Sequence, residues 1–336
     1  MKFGILGCGH IAGKMTCAVK ALQEQGYGVE AYAIASRSLE KAQNFAAENG
    51  FEKAYGSYEE LAQDPDVDLI YIATPHSEHA AHSLLCIEHS KNLLVEKAFT
   101  VNADEASYVI ARAKEKGTFL CEAMWTRFLP AVQMIREKIL QGTIGKVETV
   151  EADFSMPLSH RERLRDPKLA GGALLDLGVY SLTFADIFLT DPQIGGKDNR
   201  VENTETKSVA FPTGVDATDW INLTYSHGQK AYLKTSMVAP THNEGTIYGT
   251  KGFIRVQNLN DMVEIQIFDH SGTLTESIVP SKIANFYEYE VLACKKAIEE
   301  GRKECAEMPW AKTLEIMKVL DSLRNSWYIE SVRSTR

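Results

Sequence analysis

The sequence has no C-x-x-C pair. Its six cysteines, Cys8, Cys17, Cys86, Cys121, Cys294 and Cys305, stand apart along the chain. That spacing disfavours a disulfide framework or a zinc ribbon and fits reduced thiols in a cytosolic protein; no metal is expected. A basic excess is also missing: 36 Lys and Arg stand against 45 Asp and Glu, a net charge of -9. A nucleic-acid polymer is thereby disfavoured as a partner. Apolar runs look shorter than the roughly 20 residues of a membrane span, so no membrane association is expected. The start does not read as a signal peptide. Met1-Lys2 pass directly into Phe3-Gly4-Ile5-Leu6 and a glycine turn, and a cytoplasmic location is the default expectation. Internal repeats and low-complexity tracts are likewise absent.

What is present is ordinary globular material, with 336 residues, 44% hydrophobic and 24% charged. At about 150 residues per domain this length suggests two domains. Up to residue 122 short apolar runs (Lys2–Leu6, Val29–Ala35, Leu69–Ala73, Asn92–Val95, Thr118–Cys121) alternate with helical spacing (Ile11–Gln25, Ser38–Asn49, Ser57–Gln63, Ser77–Glu88, Ala103–Lys116). Strands separated by helices imply a parallel, doubly wound α/β sheet. Ser38, Ser57 with Glu60, and Gly117 punctuate three of these helices. After residue 123 the pattern changes. A helix at 130–141 and an alternating run at 146–155 precede a helix opened by Gly171-Gly172. Strand-like segments then run from Val201 to Pro280, broken by turn signals, and helix returns over Asn285–Ile329 with a break at Met308-Pro309. The expected architecture is an N-terminal Rossmann domain, 1–122, and an α+β domain, 123–336, built on a large, mostly antiparallel sheet. The C-terminal helices are candidates to pack back on the first domain.

Gly7-Cys8-Gly9-His10-Ile11-Ala12 is G-x-G-x-x-A between a predicted strand and a predicted helix. In that context the first glycine allows the tight turn, the second lets backbone approach a pyrophosphate, and Ala12 lets the helix lie close to the sheet. The alternative is a plain strand–helix turn, or a site for another adenine nucleotide such as S-adenosylmethionine. Cys8 reads as a tolerated small residue. The second strand ends Ala35-Ser36-Arg37, without the carboxylate that would hold the ribose hydroxyls of NAD. Ser36 can hydrogen-bond a 2′-phosphate and Arg37 can neutralise it, so NADP is expected over NAD. Ligands of such sheets lie beyond the carboxyl ends of the strands. Thr74-Pro75-His76-Ser77-Glu78-His79, Glu96-Lys97-Ala98 and Glu122–Arg127 all follow strands.

These segments carry a resemblance. GILGCGHIA, IATPHSEHA, LLVEKAFT and GGALLDLGVY, spread over the chain, resemble the Gfo/Idh/MocA oxidoreductases. EAMWTRFLP and the tyrosine ending GGALLDLGVY are most similar to the dimeric dihydrodiol dehydrogenases, with NADP-dependent D-xylose dehydrogenases sharing much of the pattern. Ala98 stands where the family's E-K-P motif has proline. Tyr180 stands where many members end D-x-x-x-H.

The resemblance implies Lys97 and Tyr180 as the catalytic pair, with Asp176 nearby. A free tyrosine has a pKa near 10. An adjacent lysine cation would favour phenolate and ease proton exchange; alternatively Lys97 itself donates to the substrate oxygen. The resemblance also favours Thr74, Pro75, His76, His79, Glu96 and Lys97 around the nicotinamide. A metal held by His76, His79 and His82 is the weaker alternative. Trp125, Arg127 and Phe154 are candidate substrate contacts, with ordinary packing and a surface ion pair as alternatives. The run Arg161–Lys168 is either a solvated face or a flap.

The expected activity is hydride transfer between NADP and a sugar, cyclic polyol or trans-diol. A cofactor-binding regulator without turnover is the alternative. A homodimer through the C-terminal sheet is expected, with Trp220, Ile221, Leu223, Tyr225, Tyr232, Leu233 and Met237 as candidate partner-facing residues.

Overall fold

A computed structural model describes residues 1–334. The chain divides into two compact units. Met1–Phe128 and Lys282–Met317 form the first; Leu129–Ser281 and the chain from Lys318 onward form the second. The first unit thus runs six residues past the boundary that the change of pattern suggests, and it includes a later segment as well.

In the first unit, β1 (Lys2–Leu6), α1 (His10–Glu24), β2 (Glu30–Ala35), α2 (Leu39–Asn49), β3 (Lys53–Tyr55), α3 (Tyr58–Gln63), β4 (Leu69–Ile72), α4 (His79–Glu88), β5 (Asn92–Glu96), α5 (Ala103–Lys116) and β6 (Leu120–Ala123) follow in turn. The six strands are all parallel, in the order β3-β2-β1-β4-β5-β6. Strands covered on both faces should be apolar throughout, and Ile5, Leu6, Leu69–Ile72 and Leu93–Val95 are fully buried. The strand order reverses between β1 and β4, so the loops after these two strands flank the crevice where such folds take ligands.

The helix caps follow the sequence signals. Ser38 Oγ accepts the Lys41 N–H, Ser57 and Glu60 form a reciprocal capping box, and Gly117 ends α5 in the left-handed conformation. Two features escape the hydrophobic pattern. The three residues of β3 are only half-buried, at the sheet's edge. The last strand lies two residues later than its apolar run suggests, which places Glu122 within it.

The second unit begins with α6 (Pro130–Leu140) and β7 (Val147–Ser155), followed by the short α7 (Glu162–Arg165). A wide π-type turn, Leu174–Gly178, leads into α8 (Val179–Leu189). Then come β8 (Val201–Ala210), β9 (Asp216–Tyr225), β10 (Lys230–Ser236), β11 (Gly245–Gly249), β12 (Gly252–Gln257), β13 (Glu264–Asp269) and β14 (Leu274–Ile278). The eight strands form a sheet in the order β14-β13-β12-β11-β7-β10-β9-β8. Every pairing is antiparallel except β7 with β10.

The segment Leu174–Leu189 packs against β7 and β10 of this sheet. By length and composition, Pro167–Leu189 is apolar enough to cross a membrane, but 94% of its most apolar 18-residue window is buried inside the protein. Such a helix is hydrophobic all round because it is a core element. Of the seven side chains expected to face a partner, Ile221, Leu223, Tyr225, Leu233 and Met237 are buried. Trp220 and Tyr232, on the other side of the pleat, are exposed. Last in the chain, α9 (Glu288–Glu299) lies in the first unit, and α10 (Trp310–Ser334) follows Pro309.

Candidate active site

The G-x-G-x-x-A segment forms the turn from β1 into α1. Gly7 has φ +112°, and an added Cβ would come within 2.9 Å of the Ala73 carbonyl oxygen beyond β4, so both backbone and space require glycine. Gly9 differs. A Cβ there would meet no protein atom within 4 Å, so packing does not explain the glycine. The helix behind it has no side-chain cap and no acidic residue in its first turn. Free N–H groups, the positive end of the helix dipole and open space above Gly9 fit a pyrophosphate. Ala12 is fully buried, as close helix packing requires. His10 is exposed at the first position of α1, with Ile11 half-buried beside it. Burial pushes the Cys8 thiol above its ordinary pKa, against the pull of Ser36 and Lys41.

Ser36 and Arg37 follow β2. Ser36 is buried and its hydroxyl oxygen accepts the Ser38 N–H at 3.4 Å. Arg37 is exposed and lies close enough to Tyr58 and His82 to interact with both. His82 does more than occupy a helix face. Its Nδ1 lies 3.0 Å from Thr74 Oγ1 and its ring meets Tyr58 edge-on at 4.7 Å. The Arg37 corner is thereby joined to the loop after β4.

That loop is tied to the next one by His79. The ring is completely buried, with Nε2 2.8 Å from the Thr74 carbonyl oxygen and Nδ1 3.0 Å from that of Ala98. Burial holds its pKa down to about 4, so it is neutral at physiological pH. His76 is also buried and packs edge-on to His79 at 5.6 Å. With His79 and His82 engaged in this way, no metal cluster among the described residues includes any of the three.

Lys97 follows β5, with a cis peptide to Ala98. Its N–H donates to Glu96 Oε2 at 3.2 Å, and the Tyr71 hydroxyl donates to Glu96 Oε1. Glu122 supports the same loop from β6, accepting the Phe99 N–H at 3.2 Å. Burial raises its pKa to about 7, against the pull of Thr313, the Phe99 N–H and Arg127, and with a further push from Glu96. The sequence places Glu122 at the head of a strand-end segment and of the EAMWTRFLP motif, but assigns it no role. Trp125 is buried and stacks on Tyr287 at 4.7 Å, and Arg127 Nε donates to the Glu307 carbonyl at 2.8 Å. Both are thus packed within the first unit.

In the second unit Asp176 lies in the π-type turn and Tyr180 in the first turn of α8. Phe154, from β7, packs against the Tyr180 ring at 4.8 Å. Asp176 is buried and receives both Arg163 guanidinium nitrogens, at 3.0 and 3.2 Å. The basic run Arg161–Lys168 is therefore not simply a solvated face, since one of its arginines is committed to a buried carboxylate. Upstream, Asp216 Oδ2 accepts the Leu174 N–H at 2.5 Å. Gly172 has φ +118°, and a Cβ on it would come within 2.1 Å of Asp216 Oδ1, which accounts for the glycine. Asp216 is a site feature that no sequence motif announces.

A family model described as an oxidoreductase family with an NAD-binding Rossmann fold, GFO/IDH/MocA, matches residues 1–123. The GFO/IDH/MocA C-terminal domain matches residues 132–255. The trans-1,2-dihydrobenzene-1,2-diol dehydrogenase of Mus musculus is 34% identical over 331 residues, covering 97% of this chain and 96% of its own. That of Homo sapiens is 33% identical over 334 residues with the same coverage. Among solved structures, a 3-ketoreductase from Actinomadura kijaniata in complex with NADP and TDP-benzene has TM-score 0.83 at 24% identity, covering 97% of both chains. Levoglucosan dehydrogenase with NADH and L-sorbose has TM-score 0.84 at 19% identity, covering 97% of this chain and 96% of that one.

Proposed function

Because the chain belongs to the GFO/IDH/MocA oxidoreductase family, we propose that it is an NADP-dependent dehydrogenase acting on the CH–OH carbon of a sugar, cyclic polyol or trans-diol. The observation that carries the cofactor preference is the end of β2, where Ser36 and an exposed Arg37 stand without a carboxylate. The diol and sugar substrates in the names of similar proteins support the substrate class.

In this reading Gly7, Cys8, Gly9, His10, Ile11 and Ala12 receive the pyrophosphate. Thr74, Pro75, His76, Glu96 and Lys97 line the nicotinamide side. His79 acts as a positioning residue, holding the loops after β4 and β5 in register. When bound, the nicotinamide supplies or accepts the hydride. Tyr180 exchanges the proton of the substrate oxygen, and Lys97 provides the positive charge that favours its phenolate. Phe154 fixes the Tyr180 ring, and Asp176 orders the turn beneath it. Trp125 and Arg127 are substrate contacts. We assign dimer formation to the outward face of the eight-stranded sheet, where Trp220 and Tyr232 are exposed; light scattering that finds only monomer at micromolar concentration would remove it.

The test is a spectrophotometric screen of aldoses, deoxy-ketosugars and trans-diols with NADP and NAD. Lys97→Met and Tyr180→Phe are each expected to lower turnover by orders of magnitude while leaving the cofactor dissociation constant within about threefold. Near-normal turnover in either variant removes that residue from the mechanism. Absence of turnover with every substrate, despite cofactor binding, would favour a regulator.

A further inference from the structure

Cysteines far apart in the sequence meet inside the first unit. Cys121 lies on β6, Cys294 on α9, and Cys305 in the segment between α9 and α10. Their three sulfur atoms all lie within 4.8 Å of one another, and all three residues are fully buried. Cys294 and Cys305 are 3.9 Å apart, sulfur to sulfur. Zinc–sulfur bonds of about 2.3 Å in a tetrahedron give a sulfur–sulfur edge of about 3.8 Å. The pair is therefore spaced as two ligands of one such ion.

A buried carboxylate lies nearby, outside that close set of three sulfurs. Glu290 is on α9, one turn before Cys294, so the two share a helix face. It is fully buried, and neither carboxylate oxygen has a hydrogen-bond partner among the described residues. It is close enough to Cys121 and Cys305 to interact electrostatically with both. A buried carboxylate without a partner is costly unless a proton or a cation neutralises it. Three soft sulfur donors suit a thiophilic divalent ion, and an oxygen brought in by a turn of the Glu290 side chain would close the set.

We propose that Cys121, Cys294 and Cys305, with Glu290 turning in as fourth ligand, form a structural zinc site that pins β6 to α9 and to the segment after it. On binding, the three thiols lose their protons to solvent, and three Zn–S bonds and one Zn–O bond form without any change of oxidation state. Arg302 lies near enough to Cys305 to offset part of the excess negative charge. With four protein ligands no position remains for substrate, so the ion's role is stability.

The full-length protein, purified without chelator, is expected to contain one zinc per chain by elemental mass spectrometry. Stripping the metal should lower the melting temperature, and added zinc should restore it. Cobalt(II) added to the stripped protein should give an intense near-ultraviolet thiolate-to-metal band. Cys305→Ser should weaken that band by about a third, as one of three thiolates is lost. Cys17→Ser, at an exposed cysteine, should leave it intact. Glu290→Gln should keep the thiolate band but shift the visible cobalt bands; unchanged visible bands would remove Glu290 from the site. The proposal is overturned if the wild-type protein holds no stoichiometric zinc, shows no thiolate band with cobalt and melts at the same temperature with and without zinc. Isolation of a Cys294–Cys305 disulfide as the native state would overturn it equally. These readouts do not depend on the dehydrogenase reading.

Discussion

Arg163 grips Asp176 with two guanidinium nitrogens, 3.0 and 3.2 Å from its two carboxylate oxygens. The arginine is partly exposed and the aspartate almost wholly buried. Such a fork fixes orientation as well as charge. Asp176 is four residues before Tyr180, so its turn sets where the helix carrying the phenol begins. Arg163→Ala is expected to lower kcat/KM about 10- to 100-fold, through kcat more than through cofactor binding. Arg163→Lys, which keeps the charge but loses the fork, should fall between. Steady-state kinetics with a saturating cofactor check this. A variant that changes only KM would assign Arg163 to substrate contact instead.

The corner after β2 is open to a test of cofactor choice. Arg37 is exposed beside Tyr58 and His82, with Ser36 behind it. Arg37→Ala should raise the NADPH dissociation constant by about 10-fold or more, the usual scale for one lost charge-assisted contact, and leave that of NADH nearly unchanged. Titration of nicotinamide fluorescence measures both. Equal losses for the two cofactors would mean that Arg37 does not meet the 2′-phosphate.

Glu122 gives the Lys97 loop a pH dependence. Its carboxyl accepts the Phe99 N–H, and burial raises its pKa to about 7. In the unfolded chain a glutamate titrates near 4.3. The folded state therefore holds this proton more tightly. Its stabilising contribution is complete below about pH 4.3 and is lost as the pH rises through about 7. Denaturant midpoints should decline over that window, at up to about 1.4 kcal/mol per pH unit for this one group. Glu122→Gln keeps an acceptor for Phe99 and should flatten the decline. An unchanged slope would place Glu122 ionised throughout.

The parallel sheet, its helix caps and the phosphate turn were legible because each rests on local rules: apolar runs, Ser before a helix, glycine where φ is positive. Ser36 and Arg37 could be singled out because a strand end is local too, whereas Lys97 and Tyr180 were singled out by the family resemblance. The pairs that position them were not legible. Arg163 reads as one member of a basic run until the fold places it on Asp176, 13 residues away. His79 resembles a ligand until both ring nitrogens are found against carbonyls. The cysteines looked scattered because their meeting depends on tertiary structure, with Cys121 on a strand and Cys294 on a helix far along the chain. The apolar stretch Pro167–Leu189 shows the same limit from the other side, since only the covering sheet marks it as core.

Asp216 and Asp219, both on β9, should respond oppositely to the same isosteric change. Asp216 accepts the Leu174 N–H and fills the space that Gly172 leaves open, so it helps to fix the turn before Asp176. Asp219 is fully buried, and its carboxyl is close enough to Asp216 and Ser208 to interact with both. Burial, reinforced by the charge of Asp216, pushes its pKa well above the carboxylate range. Its proton is thus bound more tightly folded than unfolded, and stability should fall as the pH rises above about 4. Asp219→Asn removes the ionisation while preserving shape. It should raise the melting temperature at pH 8 relative to wild type and leave it nearly unchanged at pH 4, with activity retained. Asp216→Asn weakens the acceptor for Leu174 and should reduce kcat. Loss of activity in Asp219→Asn, or a melting temperature lowered at pH 8, would show that Asp219 is ionised in the folded protein.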